Sequence, residues 1–95
     1  MTRSKPFAHD DPAFTVAPAR YAKNAVAVRV HERGDGLKGE IGCLCTHLAA
    51  RYSGRERAYI MSPAKARRLI RLHAEGWTAT IFGRLIAPGK LFPDD

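Results

Sequence analysis

The sequence predicts a small α+β domain with the element order β-α-β-β-α-β. This is the split βαβ arrangement of ferredoxin-like folds, in which two helices cover one face of a mainly antiparallel sheet. Three observations predict it: an alternating apolar stretch at residues 26–30, two β-prone runs separated by four turn residues at 50–61, and a Ser-Pro pair at 62–63. If the two runs do not form a hairpin, a three-stranded βαβαβ layout is the nearest alternative.

Size and composition indicate one globular core. The chain has 95 residues, of which 45% are hydrophobic and 26% charged, as in globular domains of this length. No apolar run approaches the roughly 18 residues that a membrane span requires, and no apolar signal region follows the first basic residues. Cys43 and Cys45 are too few for a secreted disulfide scaffold and too close for an ordinary disulfide. We therefore expect a cytoplasmic protein with reduced thiols and no membrane partner.

The domain is predicted at residues 21–88. Residues 1–20 contain three prolines and two isolated phenylalanines without a sustained period, which predicts an extended N-terminal arm. Pro88-Gly89 breaks the pattern at the other end, so residues 89–95 are expected to form a short tail.

The first two elements are a strand and a helix. Valines at alternate positions predict the strand at 26–30, and Gly34-Asp35-Gly36 ends it. Apolar residues at helical spacing predict a helix over about 37–49. This helix is weakened by Gly39 and Gly42, each costing about 1 kcal/mol relative to alanine in a helix interior.

The remaining elements are a hairpin, a second helix and a last strand. The hairpin joins residues 50–53 and 58–61 through a loop at 54–57. Ser62 is predicted to cap a helix that starts with a proline and stops at Gly76. A period of two in the side chains over residues 77–86 predicts the last strand. Trp77 is expected in the core and Phe82 exposed on the open face of the sheet.

The positive charge is concentrated in the hairpin and the second helix. Residues 50–76 hold seven Lys and Arg against two Glu, so +5 of the net +7 lies there. The helix has an apolar face and an opposite cationic face, on which Arg71 and Glu75 are spaced to pair. Arginine side chains form bidentate bonds with phosphates, and aromatic rings stack on bases. We therefore expect this surface to bind nucleic acid, free or in a nucleoprotein complex. An acidic protein surface and a merely solvated face are the alternatives. The predicted binding residues are Arg51, Tyr52, Arg55, Arg57, Tyr59, Lys65, Arg67, Arg68, Arg71 and Phe82.

Cys43, Cys45 and His47 form the one candidate group for a metal or a nucleophile. Structural zinc takes four ligands, and the fourth would have to come from elsewhere, for example His31. No orienting acid or oxyanion element accompanies the Cys-His pair. We therefore expect free thiols, no cofactor and no enzyme activity, with a zinc-dependent module as a third alternative. His73 is predicted as a hydrogen-bonded core histidine.

Glu32, Asp35 and Glu40 form one acidic patch near the first helix. Together with the basic hairpin and helix, it would permit contacts between copies. The sequence therefore leaves both a monomer and a homodimer open.

The segment AARYSGRERAYIMSPAKARRL at residues 49–69 resembles a pattern in small proteins of unknown function from phages and other mobile elements. More distantly, it resembles the HARP domains of annealing helicases. In this pattern an Arg-aromatic strand, a charged turn, a second strand with an aromatic and a Ser/Pro helix start follow one another, with Arg51, Tyr59 and Lys65 at the matching positions. The resemblance implies an accessory protein that handles DNA or protein–DNA complexes.

The small size, the lack of a catalytic group and the compact build are also similar to those of many anti-CRISPR proteins. That similarity implies an alternative function, an inhibitor that blocks a host defence effector complex by protein–protein contact.

Overall fold

The computed structural model describes residues 8–31 and 39–93. Within these ranges it contains seven strands and two helices in one α+β unit. The helices are α1 (Glu40–His47) and α2 (Pro63–Glu75). The strands are β1 (His9–Asp10), β2 (Phe14–Pro18), β3 (Val26–Val30), β4 (Arg51–Ser53), β5 (Ala58–Met61), β6 (Thr78–Ala79) and β7 (Leu85–Ile86).

Five strands form an antiparallel sheet in the order β1-β2-β3-β5-β4, and β6 pairs only with β7 in a separate hairpin. The predicted α+β class, the strand at 26–30 and the 50–61 hairpin are confirmed. The ferredoxin-like topology is not confirmed, because it needs a long strand after α2 that joins the main sheet. Here β2 pairs along the whole length of β3 instead.

The prediction of an extended arm over residues 1–20 is wrong for residues 9–10 and 14–18, which form β1 and β2 of the main sheet. Phe14 and Val16 of β2 are fully buried and alternate with half-buried neighbours, which is the pattern of a strand with one face on the core. Prolines flank this pattern and conceal it, because proline normally argues against a strand. Pro18 is the last residue of β2, and Pro12 lies just before the strand begins. Residues 1–7 lie outside the described part of the chain.

The last strand predicted over 77–86 is also wrong, because the chain turns at residues 80–84. The Thr80 N–H donates to the Arg84 carbonyl at 2.9 Å, and the Gly83 N–H donates to the Thr80 carbonyl at 2.9 Å. The Thr80 hydroxyl accepts from the Arg84 N–H at 3.1 Å, and Gly83 has a φ of +86°. These local bonds close a turn between β6 and β7 that apolar alternation does not reveal.

Both predicted helices are present. The Ser62 hydroxyl accepts from the Lys65 N–H at 3.2 Å, and α2 ends at Gly76 in the left-handed conformation (φ 88°), as predicted. α1 begins at Glu40, and Gly39 is its N-cap in an extended conformation, so Gly39 does not lie in the helix interior as predicted. The turn predicted at 34–36 and the acidic residues at 32 and 35 lie outside the described residues.

One face of the sheet packs against both helices. Val16, Val28 and Tyr59 are direct cross-strand partners and therefore share a face. They join the core with residues of both helices, among them Leu44 and Leu69. The opposite side of α2 is left at the surface, where its arginines lie.

Candidate functional site

The exposed side of α2 and the β6–β7 hairpin border a groove of about 760 Å³. We call it the α2 groove and define it by Arg67, Arg68, Arg71, Glu75, Trp77 and Leu85. It brings together three of the predicted binding residues and adds two apolar ones from outside the predicted set.

Helical periodicity places the three arginines on one side. At about 100° per residue, positions 67, 68 and 71 fall on the side opposite the buried Ala66 and Leu69. Because those apolar side chains are buried against the sheet, the arginines are exposed along the groove. This part of the site follows directly from the sequence.

Glu75 connects the charged and aromatic parts of the groove. The Trp77 Nε1–H donates to Glu75 Oε1 at 3.2 Å, and Arg71 Nε lies 3.7 Å from Glu75 Oε2. The Arg71–Glu75 pair confirms the predicted spacing. With these side chains 79% and 54% exposed, the pair contributes at most about 1 kcal/mol, so a stronger anion can displace Glu75 from Arg71.

Trp77 was predicted in the core, and the structure shows it half-buried, packed on the core cluster and also lining the groove. Its backbone N–H donates to the Leu72 carbonyl at 2.9 Å, which fixes the chain directly after Gly76. The available signal was an aromatic residue directly after the Gly76 cap of a helix whose exposed face carries arginines.

The hairpin carries the second basic group. Arg51 lies on the edge strand β4, and Arg55 and Arg57 lie in the turn, all of them exposed. The Arg55 guanidinium lies 4.1 Å from the centre of the Tyr21 ring. Tyr21, for which the sequence pattern gives no signal, belongs to the loop at residues 19–25 between β2 and β3.

Glu56 holds the hairpin turn to the same loop. It is only 6% exposed, and its carboxylate accepts from the backbone N–H of Arg20 at 2.8 Å and of Tyr21 at 3.4 Å. Its own N–H donates to the Ser53 hydroxyl at 3.2 Å. The sequence showed only a glutamate between two arginines, which is typical of a solvated turn, so its structural role was not predicted.

The two hairpin tyrosines differ in exposure. Tyr59 is 6% exposed and meets Tyr52 edge to face, with ring centres 5.3 Å apart, while Tyr52 is 42% exposed. Burial raises the pKa of Tyr59. Tyr59 therefore packs the core, and Tyr52 is the ring of this pair that a ligand can reach.

Lys65 and Phe82 lie apart from the hairpin. Lys65 is exposed in the first turn of α2. Phe82 is 83% exposed, as predicted, but it lies in the turn between β6 and β7 rather than on a sheet face. That turn rests on α1, because His47 Nδ1–H donates to the Gly83 carbonyl at 2.9 Å.

The cysteines face the interior. Cys43 and Cys45 are both buried, and burial raises the pKa of the Cys45 thiol to about 12, so it stays protonated at neutral pH. Within residues 8–31 and 39–93, no group of three or more His, Cys, Asp or Glu side chains is placed to hold a metal ion. The arrangement of Cys43, Cys45 and His47 therefore does not support a zinc site.

His73, predicted as a hydrogen-bonded core histidine, is half-buried between two carboxylates. Its ring nitrogens lie 3.5 Å from Asp11 and 3.8 Å from Glu40, and its ring meets Phe14 edge to face. It links the start of β2 to both helices. Its Nδ1 is buried without a hydrogen-bond partner, so the predicted bonding is incomplete.

Among the described residues, neither helix is long and apolar enough to cross a membrane. A comparison of the chain with protein-family models, with curated proteins and with solved structures finds no match. The function therefore has to follow from the geometry of the chain itself.

Proposed function

We propose that this protein is a non-enzymatic nucleic-acid-binding protein whose α2 groove contacts phosphates, on free nucleic acid or within a nucleoprotein complex. The observation that carries the proposal is the convergence of Arg67, Arg68 and Arg71 in one open groove. Arginine forms bidentate, charge-assisted bonds with phosphate oxygens. The three positions span about 6 Å along the helix axis, so one strand of ligand can contact all of them.

The hairpin has a supporting role in this proposal. Its arginines add to the positive potential that attracts a polyanion. Arg55 already contacts Tyr21. We therefore assign the direct phosphate contacts to α2 first and the long-range attraction to both groups.

The resemblance over residues 49–69 suggests the setting. We propose an accessory protein of a phage or other mobile element that acts in the cytoplasm. The exposed cationic residues on α2 and the hairpin are consistent with a role on DNA or a protein–DNA complex.

The test compares two matched double variants by anisotropy of labelled oligonucleotides across salt concentrations. Arg68→Glu with Arg71→Glu alters the groove, and Arg55→Glu with Arg57→Glu makes the same charge change in the hairpin. We expect the groove variant to lose about 100-fold in affinity and the slope of log K against log salt to fall by about 2, since each phosphate contact contributes about 0.9. The hairpin variant should lose about fivefold, the effect of a weaker long-range field.

Circular dichroism of both variants controls for folding. Salt-independent binding of the unmodified protein would contradict the proposal. Equal losses in the two variants would also contradict it, because the groove would then have no special role.

A second candidate function is favoured by exposed apolar side chains. Ile81 and Phe82 project from a turn fixed to α1, and Leu91 and Phe92 are also exposed. A contiguous exposed apolar patch is typical of a protein-binding surface, and each of these two pairs consists of residues adjacent in sequence. They support the alternative of an anti-CRISPR-type inhibitor that blocks an effector complex by direct contact.

The two candidates differ in what destroys binding. An inhibitor should form a stoichiometric protein complex that resists nuclease, survives the Arg68→Glu and Arg71→Glu changes, and is lost in Phe82→Ser. Loss of the complex on nuclease treatment would exclude this second candidate. The zinc-dependent module is not proposed, because within residues 8–31 and 39–93 no group of three or more His, Cys, Asp or Glu side chains is placed to hold a metal ion.

A further inference from the structure

We propose that the α2 groove binds single-stranded nucleic acid in preference to duplexes, with Trp77 as the surface on which one base stacks. This inference rests on the proposed function, because it assigns the class of nucleic acid to the same groove. Its evidence is the indole and its surroundings, not the arginines alone.

The indole is held in place before any ligand arrives. Its Nε1–H donates to Glu75 Oε1 at 3.2 Å, and the backbone leading into it is fixed by the Gly76 cap and by the Trp77 N–H bond to the Leu72 carbonyl at 2.9 Å. The ring packs on the core and lines the groove as well. A fixed ring loses little conformational freedom when a base stacks on it.

Arg71 shares Glu75 with the indole, so a cation and a flat ring are at adjacent places in the groove. A nucleotide offers the matching pair, a phosphate and a planar base. Leu85 adds apolar surface in the same groove. The volume of about 760 Å³ lies in the range typical of small-ligand sites and is sufficient for a base with its phosphate.

The preference for single strands follows from which bases are free to stack. In a duplex the base faces are already stacked, and extruding a base costs free energy. In a single strand a base can move onto the ring without that cost. Phosphate contacts alone would not discriminate strongly between the two forms, whereas one stacked base contributes about ten- to hundredfold in affinity.

Trp77 is also the natural reporter, because it is the single tryptophan of the chain. We would titrate the full-length protein with a single-stranded oligonucleotide and with a duplex of the same sequence, at equal salt. The single strand should quench the tryptophan fluorescence and bind at least about tenfold more tightly than the duplex. The duplex should leave the fluorescence nearly unchanged.

Two variants separate stacking from charge. Trp77→Leu should lose the single-strand preference but keep the salt slope, measured by anisotropy of labelled oligonucleotides. Trp77→Phe should restore part of the preference, because a flat ring is retained. Since Trp77→Leu removes core packing as well, the fluorescence titration of the unmodified protein remains the deciding measurement.

The results distinguish this inference from the proposed function. Equal affinity for both forms, or single-strand binding without quenching, would overturn the stacking role and leave nucleic-acid binding intact. Binding to neither form would overturn both proposals. Quenching by an acidic peptide without any binding to nucleic acid would also overturn both and indicate a protein ligand.

Discussion

The hairpin and the α2 groove carry the same kind of charge, but their contacts differ. In the hairpin, Arg55 lies over Tyr21, and the buried Glu56 accepts two backbone N–H groups from the loop at residues 19–25. In the groove, the carboxylate of Glu75 is exposed and its pairing with Arg71 is weak. Arg55 and Glu56 therefore help to hold the hairpin against this loop, whereas Arg68 and Arg71 line an open groove. Contacts, and not the number of charges, separate the two regions.

The aromatic residues show the same contrast. Tyr59 of the hairpin, expected as a stacking ring, is buried in the core. Trp77, expected in the core, lines the groove. A ring is available to a ligand only where the surrounding elements leave one side uncovered.

Replacing Glu56 of the hairpin or Glu75 of the groove by alanine gives the largest expected difference in stability between the two regions. Glu56→Ala removes the acceptor of two backbone N–H groups in a partly buried site, and we expect a loss of about 3 kcal/mol in the free energy of unfolding. Glu75→Ala removes an exposed carboxylate and should cost less than about 1 kcal/mol. Urea unfolding of the two variants measures the difference, and equal losses would show that the hairpin carboxylate has no special structural role.

Replacing a turn glycine by alanine compares how closely the backbone is packed in the two regions. Gly83 has a φ of +86°, and a Cβ there would lie 3.1 Å from the backbone N and Cα of His47. Gly83→Ala should therefore cost about 2 kcal/mol and weaken groove binding, because the turn positions Leu85.

Two other glycines are the controls. A Cβ at Gly89 (φ +80°) would meet nothing within 4 Å, so alanine there should cost only the backbone strain, about 1 kcal/mol. Gly54 in the hairpin turn also has open space and should tolerate alanine. If Gly83→Ala and Gly89→Ala lower the free energy of unfolding equally, the close contact between residue 83 and the His47 backbone does not restrict the side chain at that position.

Alkaline pH should weaken the core beneath the hairpin. Burial raises the pKa of Cys45 from 9.0 to about 12 and raises that of Tyr59. A raised pKa means that the folded state favours the protonated thiol. The contribution of Cys45 to the free energy of unfolding is therefore fully present below about pH 9 and is lost as the pH rises toward 12. At about pH 10.5 we expect Cys45 to account for a loss of about 2 kcal/mol.

Urea midpoints measured from neutral to alkaline pH test this. Cys45→Ala should lower stability at neutral pH through the lost packing, but its decline above pH 9 should be shallower, so the difference from the unmodified protein should shrink as the pH rises. An identical decline in the variant and the unmodified protein would show that Cys45 does not contribute to the pH dependence.

The features predicted correctly are those that short-range physics controls. Ser62 and Pro63 begin α2 and Gly76 ends it, because capping depends on a few neighbouring residues. The hairpin and β3 follow from turn residues and a period of two. The exposed arginines of α2 follow from helical periodicity, so the charged part of the candidate site was predictable.

The features that were missed depend on partners distant in sequence. β2 was hidden by flanking prolines and is a strand because it pairs with β3. The alternation over 77–86 looked like one strand, although the turn at Gly83 is fixed against His47 of α1. Glu56 and Tyr21 are 35 residues apart in the chain, so their contact has no local signature.

Residue spacing within single segments accounts for the two helices, the β4–β5 hairpin, the α+β class and the cationic side of α2. The strand that lies beside β3, the acid that is buried and the aromatic ring that stays accessible depend on how distant segments pack together. Those outcomes depend on which surfaces cover each other after the segments pack. The α2 groove belongs to this second group, because it exists only where β6 and β7 come to lie beside the exposed side of α2.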